Sequence, residues 1–122
     1  MNTQPTVVWA EIPVKDLNAA IRFYDSVFDW KTEIDRSAPF AVLNGSGSAT
    51  GVGANLFQTD ETGKRGNIIH FAVADTCEAA AERLRAAGGE VLGEAVEIPP
   101  GRFIMALDID GNQIGLFQPR AA

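Results

Sequence analysis

TVVWAEIPVKDL, residues 6–17, is the stretch that decides the fold of this chain. Its β-branched and aromatic content favours a strand over residues 6–14. Asp16 follows, and its carboxylate can accept hydrogen bonds from the free N–H groups of a first helical turn. Apolar residues then recur every three or four positions, which predicts an amphipathic helix lying on a sheet. They are Leu17, Ala20, Ile21, Tyr24, Val27 and Phe28.

Three β-like runs follow this helix, at residues 30–34, 40–43 and 51–57. A Ser-Ala-Pro sequence and a Gly/Ser-rich turn at residues 45–48 separate them, and such residues favour turns. The order of elements over the first half is therefore β-α-β-β-β.

The same order begins again at residues 67–73, NIIHFAV. Asp75 and Glu78 have the spacing of a capping box, which predicts the start of a second helix. Gly88-Gly89 ends that helix, because glycine tolerates the left-handed backbone of a helix end. Runs at residues 90–98, 103–108 and 112–117 predict three further strands, the last two joined by an Asp110-Gly111 turn.

Matching positions indicate that the two halves are repeats, although three-residue matches can also arise by chance. Val14-Lys15-Asp16 corresponds to Val73-Ala74-Asp75 at an offset of 73 − 14 = 59. Leu56-Phe57-Gln58 corresponds to Leu116-Phe117-Gln118 at 116 − 56 = 60, so one residue has been added near the second helix. Recurrence of order, spacing and element type predicts an α+β fold of two βαβββ repeats, about 5–58 and 66–118, in one domain over residues 1–122.

Composition excludes several classes of partner. The 122 residues carry a formal net charge of −6, with a pI near 4.6, so we expect no general electrostatic attraction to nucleic acid or anionic membranes. No run approaches the ~18 apolar residues of a membrane span, and the N-terminus lacks the pattern of a signal peptide. The one cysteine, Cys77, agrees with a reducing compartment. We expect a cytoplasmic protein.

Two motifs in the first half carry a resemblance to a known family: residues 11–17, EIPVKDL, and residues 23–30, FYDSVFDW. They resemble the start of a vicinal oxygen chelate domain, the superfamily of glyoxalase I, bleomycin-resistance proteins and extradiol dioxygenases. Residues 71–75, 87–89, 101–103 and 108–116 follow in family order. The chain is most similar to the single-domain branch of predicted lactoylglutathione lyase-related proteins, which implies a curved mixed sheet. Asp29 and Ile109 stand where the family commonly has Gly and Pro.

The resemblance also locates the metal ligands of metal-dependent relatives, which come from the first and last strands of each half. Those places fall on Trp9 and Asn55 in the first half, and on Ile68 and Gly115 in the second. Trp, Ile and Gly supply no side-chain lone pair, and one neutral amide cannot hold a divalent cation against water. We predict no metal at this site, and no cofactor.

Glu11 and His70 are the candidate catalytic residues. They are repeat-equivalent, at 70 − 11 = 59, so the pseudo-twofold could bring a carboxylate and the chain's one imidazole together. Such a pair could act as a general base and its orienter. The alternative is that His70 is a packed strand residue whose hydrogen bond Glu11 satisfies.

Further candidates for ligand binding are the flat apolar side chains of Trp9, Phe103 and Phe117, with Asn55 beside them and Arg102 to meet an anionic group. The alternative is that the aromatic rings fill the core and Arg102 is solvated. Cys77, near the start of the second helix, is expected to be a packing residue.

We predict a metal-independent protein that binds a small, partly aromatic or hydrophobic molecule on the concave sheet, the mode that bleomycin-resistance relatives imply. One alternative is an enzyme of the lyase, isomerase or dioxygenase type that uses Glu11 and His70 or an unrecognised metal site. Another is an interaction module without a ligand. We also expect a homodimer, because an open sheet needs its edges covered and relatives pair.

Overall fold

A computed structural model describes residues 6–35, 40–43, 52–60 and 66–120 of the chain. These residues form an N-terminal unit, Trp9–Asn67, and a C-terminal unit of Ile68–Ala122 with Met1–Val8. The predicted α+β class and the two βαβββ modules are confirmed. The predicted single domain over residues 1–122, with halves about 5–58 and 66–118, stays a prediction. No helix in the described ranges is long and apolar enough to cross a membrane.

The N-terminal unit carries one helix on one face of a mixed sheet. Its strands are β1 (Val7–Val14, which belongs to this unit from Trp9 onward), β2 (Glu33–Asp35), β3 (Phe40–Val42) and β4 (Gly53–Gln58), and its helix is α1 (Leu17–Phe28). The strand order is β2-β3-β4-β1. β1 and β4 run parallel, whereas β3 pairs antiparallel with both β2 and β4. The first and last strands of the module are therefore neighbours.

The C-terminal unit repeats this arrangement. Its elements are β5 (Ile68–Ala72), α2 (Cys77–Ala86), β6 (Glu90–Val91), β7 (Val96–Ile98), β8 (Gly101–Leu107) and β9 (Gln113–Pro119). The order is β5-β9-β8-β6, with β7 also paired to β8. Here too the first and last strands, β5 and β9, run parallel.

The helix starts show where the added residue lies. Asp16 caps α1 by accepting a hydrogen bond from the Ala19 N–H at 3.0 Å. In α2 the cap is Thr76, whose hydroxyl accepts from Ala79 at 3.1 Å, and not the predicted Asp75. The capping residues are thus 76 − 16 = 60 positions apart, so the insertion falls directly before α2. Asp75 is instead held by Arg83 through two hydrogen bonds of 2.8 and 3.0 Å.

A glutamine at the end of each module ties the helix start to the sheet. The Leu17 N–H donates to Gln58 Oε1, and the Cys77 N–H donates to Gln118 Oε1, each at 3.0 Å. Each contact satisfies one of the N–H groups that a first helical turn leaves without an intrahelical partner. The same bond recurs at an offset of 60, as the repeat requires.

The one predicted strand over residues 90–98 forms two short strands instead. Val91 pairs with Ala106 and Val96 with Phe103 of β8. Four residues, 92–95, therefore face only two residues of β8, 104–105, and a regular ladder cannot accept the excess. The strand predicted at residues 30–34 also begins later, at Glu33. The turn predicted at residues 45–48 lies outside the described residues.

The C-terminal ends of both helices lie where the sequence predicts them. Asp29 closes α1 with φ 59° and ψ 43°, the left-handed region that Asp tolerates better than most residues. Gly88 follows α2 with φ 102°. The substitution of the family's common glycine by Asp29 therefore leaves the helix end intact.

Each unit has its own apolar core between its helix and its sheet. The buried residues are Leu17, Ala41, Leu43 and Leu56 in the N-terminal unit, and Val73, Cys77, Ala80, Ala81, Ile104, Ala106 and Leu116 in the C-terminal unit. The Cys77 thiol is fully buried, and this burial, with Glu78 beside it, raises its pKa. Cys77 is thus placed as a packing residue, as expected.

Removing the cap of α1 tests the helix start. We expect Asp16→Ala to lower the free energy of unfolding by ~1 kcal/mol, because the Ala19 N–H loses its acceptor. Asp16→Asn keeps an acceptor oxygen and is the matched control, with stability close to that of the wild type. Urea denaturation followed by circular dichroism measures both, and equal stability of all three proteins would contradict the assigned cap.

Candidate functional site

The face of each sheet that carries no helix holds most of the candidate site residues. In the N-terminal unit, Ile12, Ala54 and Leu56 pack in the core with α1. Side chains alternate between faces along a strand, so Trp9, Glu11 and Asn55 lie on the opposite, helix-free face. Glu11 and Asn55 are direct neighbours across the parallel β1–β4 pair.

Trp9, Asn55 and Glu11 form a chain of hydrogen bonds in the N-terminal unit. The Trp9 Nε1–H donates to Asn55 Oδ1 at 2.5 Å. Because the indole can only donate, this contact fixes the orientation of the Asn55 amide. The Asn55 Nδ2 group then donates to Glu11 Oε1 at 3.4 Å and to the Leu56 carbonyl at 3.4 Å. Asn55 is only 6% exposed, so these partners replace water for a buried amide.

A glycine makes room for the Trp9 ring. Trp9 pairs with Gly53 across β1 and β4, and a Cβ atom at Gly53 would lie 2.5 Å from Cζ3 of the indole. No side chain fits there without displacing the ring. Gly53 is a supporting residue that the sequence alone does not reveal, because its role depends on the cross-strand register.

The C-terminal unit repeats this combination with His70 and Gly115. His70 lies opposite Gly115 in the parallel β5–β9 pair and is 3% exposed. A Cβ atom at Gly115 would lie 2.0 Å from His70 Nδ1, so the imidazole occupies the space that a side chain at position 115 would need. The edge of one ring meets the face of the other between His70 and Phe103, with centroids 5.3 Å apart and an interplanar angle of 85°.

Phe103 and Phe117 lie on the same helix-free face of the C-terminal unit. They are direct neighbours in the antiparallel β8–β9 pair. The alternate residues Ile104, Ala106 and Leu116 belong to the core beneath α2. The structure therefore brings together His70, Phe103 and Phe117.

Arg102 is not part of this group. It precedes Phe103 in β8 and so lies on the helix-bearing face, where its Nε donates to Glu97 at 2.6 Å and its Nη1 donates to Glu78 at 2.7 Å. These carboxylates, Glu97 first, raise the pKa of the guanidinium. Adjacent residues of a strand point to opposite faces of the sheet. The positions of Arg102 and Phe103 in the sequence therefore already indicate that they cannot line the same face.

Glu11 and His70, the candidate catalytic pair, lie in different units. Glu11 belongs to the hydrogen-bonded chain with Asn55, and His70 lies over Gly115. Their approach to one another stays a prediction.

The four places at which metal-dependent relatives hold a cation do not suit a metal in this chain. Trp9 and Asn55 are joined by the indole hydrogen bond in one unit, so the amide oxygen already has a donor. Ile68 is apolar and buried in the other unit, and Gly115 lies beneath His70. Protein sites for divalent cations are built chiefly from carboxylate, imidazole or thiolate donors, and these four positions carry none of them. Across the described ranges, no three His, Cys, Asp or Glu side chains come together in a way that could hold a metal ion.

Comparisons with solved structures agree with this fold. A superfamily member from Vibrio splendidus 12B01 has a TM-score of 0.65 at 21% identity, covering 92% of this chain and 97% of that one. A methylmalonyl-CoA epimerase in complex with methylmalonyl-CoA and NH4+ has a TM-score of 0.63 at 22% identity, covering 95% of each chain. A Streptomyces coelicolor methylmalonyl-CoA epimerase variant in complex with 2-nitronate-propionyl-CoA has a TM-score of 0.62 at 20% identity, covering 98% and 100%. At these identities the likeness shows the fold alone.

Comparisons at the level of sequence give the family. A search of curated proteins found no match. The family model described as Glyoxalase/Bleomycin resistance protein/Dioxygenase superfamily matches residues 6–116. This match covers both βαβββ modules and confirms the resemblance carried by the EIPVKDL and FYDSVFDW motifs, so the chain belongs to the Glyoxalase/Bleomycin resistance protein/Dioxygenase superfamily.

Proposed function

We propose that this chain binds a small organic molecule on its helix-free sheet faces without the divalent cation used by metal-dependent relatives. The residues assigned to binding are Trp9, Glu11 and Asn55 in the N-terminal unit and His70, Phe103 and Phe117 in the C-terminal unit. The ligand is partly aromatic or hydrophobic, because flat rings supply most of this surface. In this proposal the chain acts in the cytoplasm, and its partners are the ligand and a second copy of itself.

The hydrogen bond from Trp9 to Asn55 is the observation that carries the proposal. Of the four residues at the family's ligand places, Asn55 alone has a side-chain oxygen, and Trp9 Nε1 donates to that oxygen at 2.5 Å. A cation at Asn55 would have to share this oxygen with the indole donor and would meet the indole ring beside it. The same contact directs the amide N–H groups towards Glu11, so the surface offers an ordered set of polar groups next to an aromatic ring.

The pairing of His70 with Gly115 supports the same conclusion in the other unit. The imidazole and a side chain at position 115 exclude one another, since a Cβ atom there would fall 2.0 Å from Nδ1. An acidic metal ligand at position 115 is thus incompatible with His70 where it lies. The His70 imidazole thus lies in the space that a metal-ligating side chain at position 115 would take.

Native mass spectrometry of the intact protein, purified without chelator, tests both parts of the proposal. We expect a non-covalent organic adduct and no stoichiometric divalent metal. Methylmalonyl-CoA, which a structurally similar epimerase holds, and small aromatic acids are the probes to add when no adduct is retained. Trp9→Ala should reduce retention of the adduct or probe at least tenfold, because it removes both the ring and the Asn55 donor. Arg83→Ala, an exposed change on α2, is the control that should retain it.

A tightly held metal ion at one per chain would overturn the metal-independent proposal. Failure of every probe to bind, with no adduct retained, would favour an interaction module without a small-molecule ligand.

A substitution of Gly115 tests whether the position of His70 depends on this glycine. We expect Gly115→Ala to destabilise the chain by about 1–3 kcal/mol, because the added methyl forces the buried imidazole out of place. Gly93→Ala is the matched control, since a Cβ atom there meets nothing within 4 Å. Thermal unfolding compares the two variants, and equal melting temperatures would mean that His70 does not require this glycine.

The alternative is an enzyme of the lyase, isomerase or dioxygenase type that uses Glu11 and His70. The contact of Asn55 Nδ2 with Glu11 Oε1 favours it, because it holds a carboxylate on the proposed binding face. Incubation with methylmalonyl-CoA in heavy water separates this alternative from binding alone. We expect no deuterium at the acidic carbon next to the thioester. Exchange that is lost in Glu11→Gln would establish proton abstraction and the enzymatic reading.

A further inference from the structure

The helix-free faces of the two sheets carry charged side chains of one sign. In the nine strands, over the ranges that the structure describes, Arg102 is the one lysine or arginine. It lies on the helix-bearing face, where Glu97 and Glu78 hold its guanidinium. No strand residue of the helix-free faces therefore supplies an ammonium or guanidinium group to a ligand.

A carboxylate takes a helix-free position in each unit. Glu11 follows Trp9 by two residues in β1 and therefore points to the same face. Glu90 of β6 pairs with Leu107 of β8, and the alternate residue Val91 packs against the core beneath α2, so Glu90 also takes a helix-free position. At the strand positions of these faces, the carboxylates thus have no lysine or arginine to balance them.

We propose that the ligand of this chain is a positively charged aromatic molecule, an arylalkyl ammonium, and that Glu11 selects it over the corresponding anion. The inference rests on the proposed function and names the class of molecule that the same site takes. The ring of the ligand packs beside Trp9, and its ammonium group donates to the Glu11 carboxylate.

The spacing of Trp9 and Glu11 suits a ring and an ammonium group on one short chain. Positions two apart in a strand are separated by about 7 Å, which a ring and an ammonium group on a short alkyl chain can span. Trp9 is held at both ends, with its six-membered ring over Gly53 and its Nε1 donating to Asn55. The indole is half-buried, so part of the ring is left to a ligand. An ammonium group near the face of a tryptophan ring is itself favoured.

The Asn55 amide leaves the charge of the ligand to Glu11. Its oxygen receives the indole N–H, and its Nδ2 group donates to Glu11 Oε1 and to the Leu56 carbonyl, each at 3.4 Å. The amide N–H groups are therefore not directed towards a ligand anion. A carboxylate has about four acceptor sites, so Glu11 can accept from a ligand ammonium in addition to its contact with Asn55.

A ligand with a carboxylate or phosphate group is disfavoured on the same grounds. In the N-terminal unit it would face Glu11, with no lysine or arginine on the described strands of that unit to compensate. In the C-terminal unit His70 is 3% exposed, so it presents little surface to an anion. The net charge of −6 adds a long-range attraction for cations. We therefore expect weak binding of methylmalonyl-CoA, which the structurally similar epimerase holds.

Isothermal titration calorimetry of the intact chain with phenethylamine, phenethyl alcohol and hydrocinnamate tests the preference for a cation. The three probes share a phenyl ring on a two-carbon chain and differ in the charge at its end. We expect the amine to bind at least about tenfold more tightly than the acid, with the alcohol between them, because attraction replaces repulsion. Added salt should narrow this difference, since it screens partly exposed charges.

Glu11→Gln tests which carboxylate is responsible. The glutamine oxygen can still accept from Asn55, so the variant removes the charge and keeps the polar contact. We expect the affinity for phenethylamine to fall about fivefold, the size of a partly exposed ion pair, while the affinity for phenethyl alcohol stays the same. Glu94→Gln removes the same charge from an exposed position between β6 and β7 and is the matched control. It should leave the affinities for all three probes unchanged.

An acid or an alcohol that binds as tightly as the amine would overturn the inference and leave the proposed binding function intact. An equal loss of amine and alcohol affinity in Glu11→Gln would also overturn it, because Glu11 would then have a structural role alone. If none of the three probes binds and the protein retains no adduct, the binding function fails and this inference fails with it. Binding of the amine alone would support both and exclude an interaction module without a ligand, even where aromatic acids and methylmalonyl-CoA do not bind.

Discussion

Parallel pairing between the first and last strands of each module is the constraint on which the rest of the structure depends. Once β1 lies beside β4, and β5 beside β9, the register decides which side chains meet. A parallel pair needs a long crossover connection, and the helix in that connection covers one face of the sheet. The other face is left for Trp9, Glu11 and Asn55 in one unit, and for His70, Phe103 and Phe117 in the other.

The helix-free faces of both modules share one packing arrangement. A large ring on the first strand lies over a glycine on the last strand: Trp9 over Gly53, and His70 over Gly115. The two pairs are not repeat-equivalent, because His70 corresponds to Glu11. The modules have therefore diverged in which strand position carries the ring, while keeping the principle that a glycine supports it.

The places at which metal-dependent relatives hold a cation are occupied by other contacts in both modules. In the N-terminal unit the indole donates to the one side-chain oxygen at the family's ligand places. In the C-terminal unit an imidazole occupies the volume above a ligand place that has no side chain. An acidic side chain at position 115 would therefore meet steric opposition from the His70 imidazole.

Much of this protein was determined by the sequence alone, because the signals are local. Helix periodicity, the Asp29 and Gly88 helix ends, the repeat offsets and the family motifs depend on residues close together in the chain. The tertiary structure decided which residue caps α2 and which side chains meet across neighbouring strands. Thr76 rather than Asp75 caps α2, and Arg83 holds the Asp75 carboxylate. Trp9 reaches Asn55 across 46 residues, and no pattern within β1 encodes where β4 lies beside it. Cross-strand contacts arise from non-local pairing, so they appear only when the chain has folded.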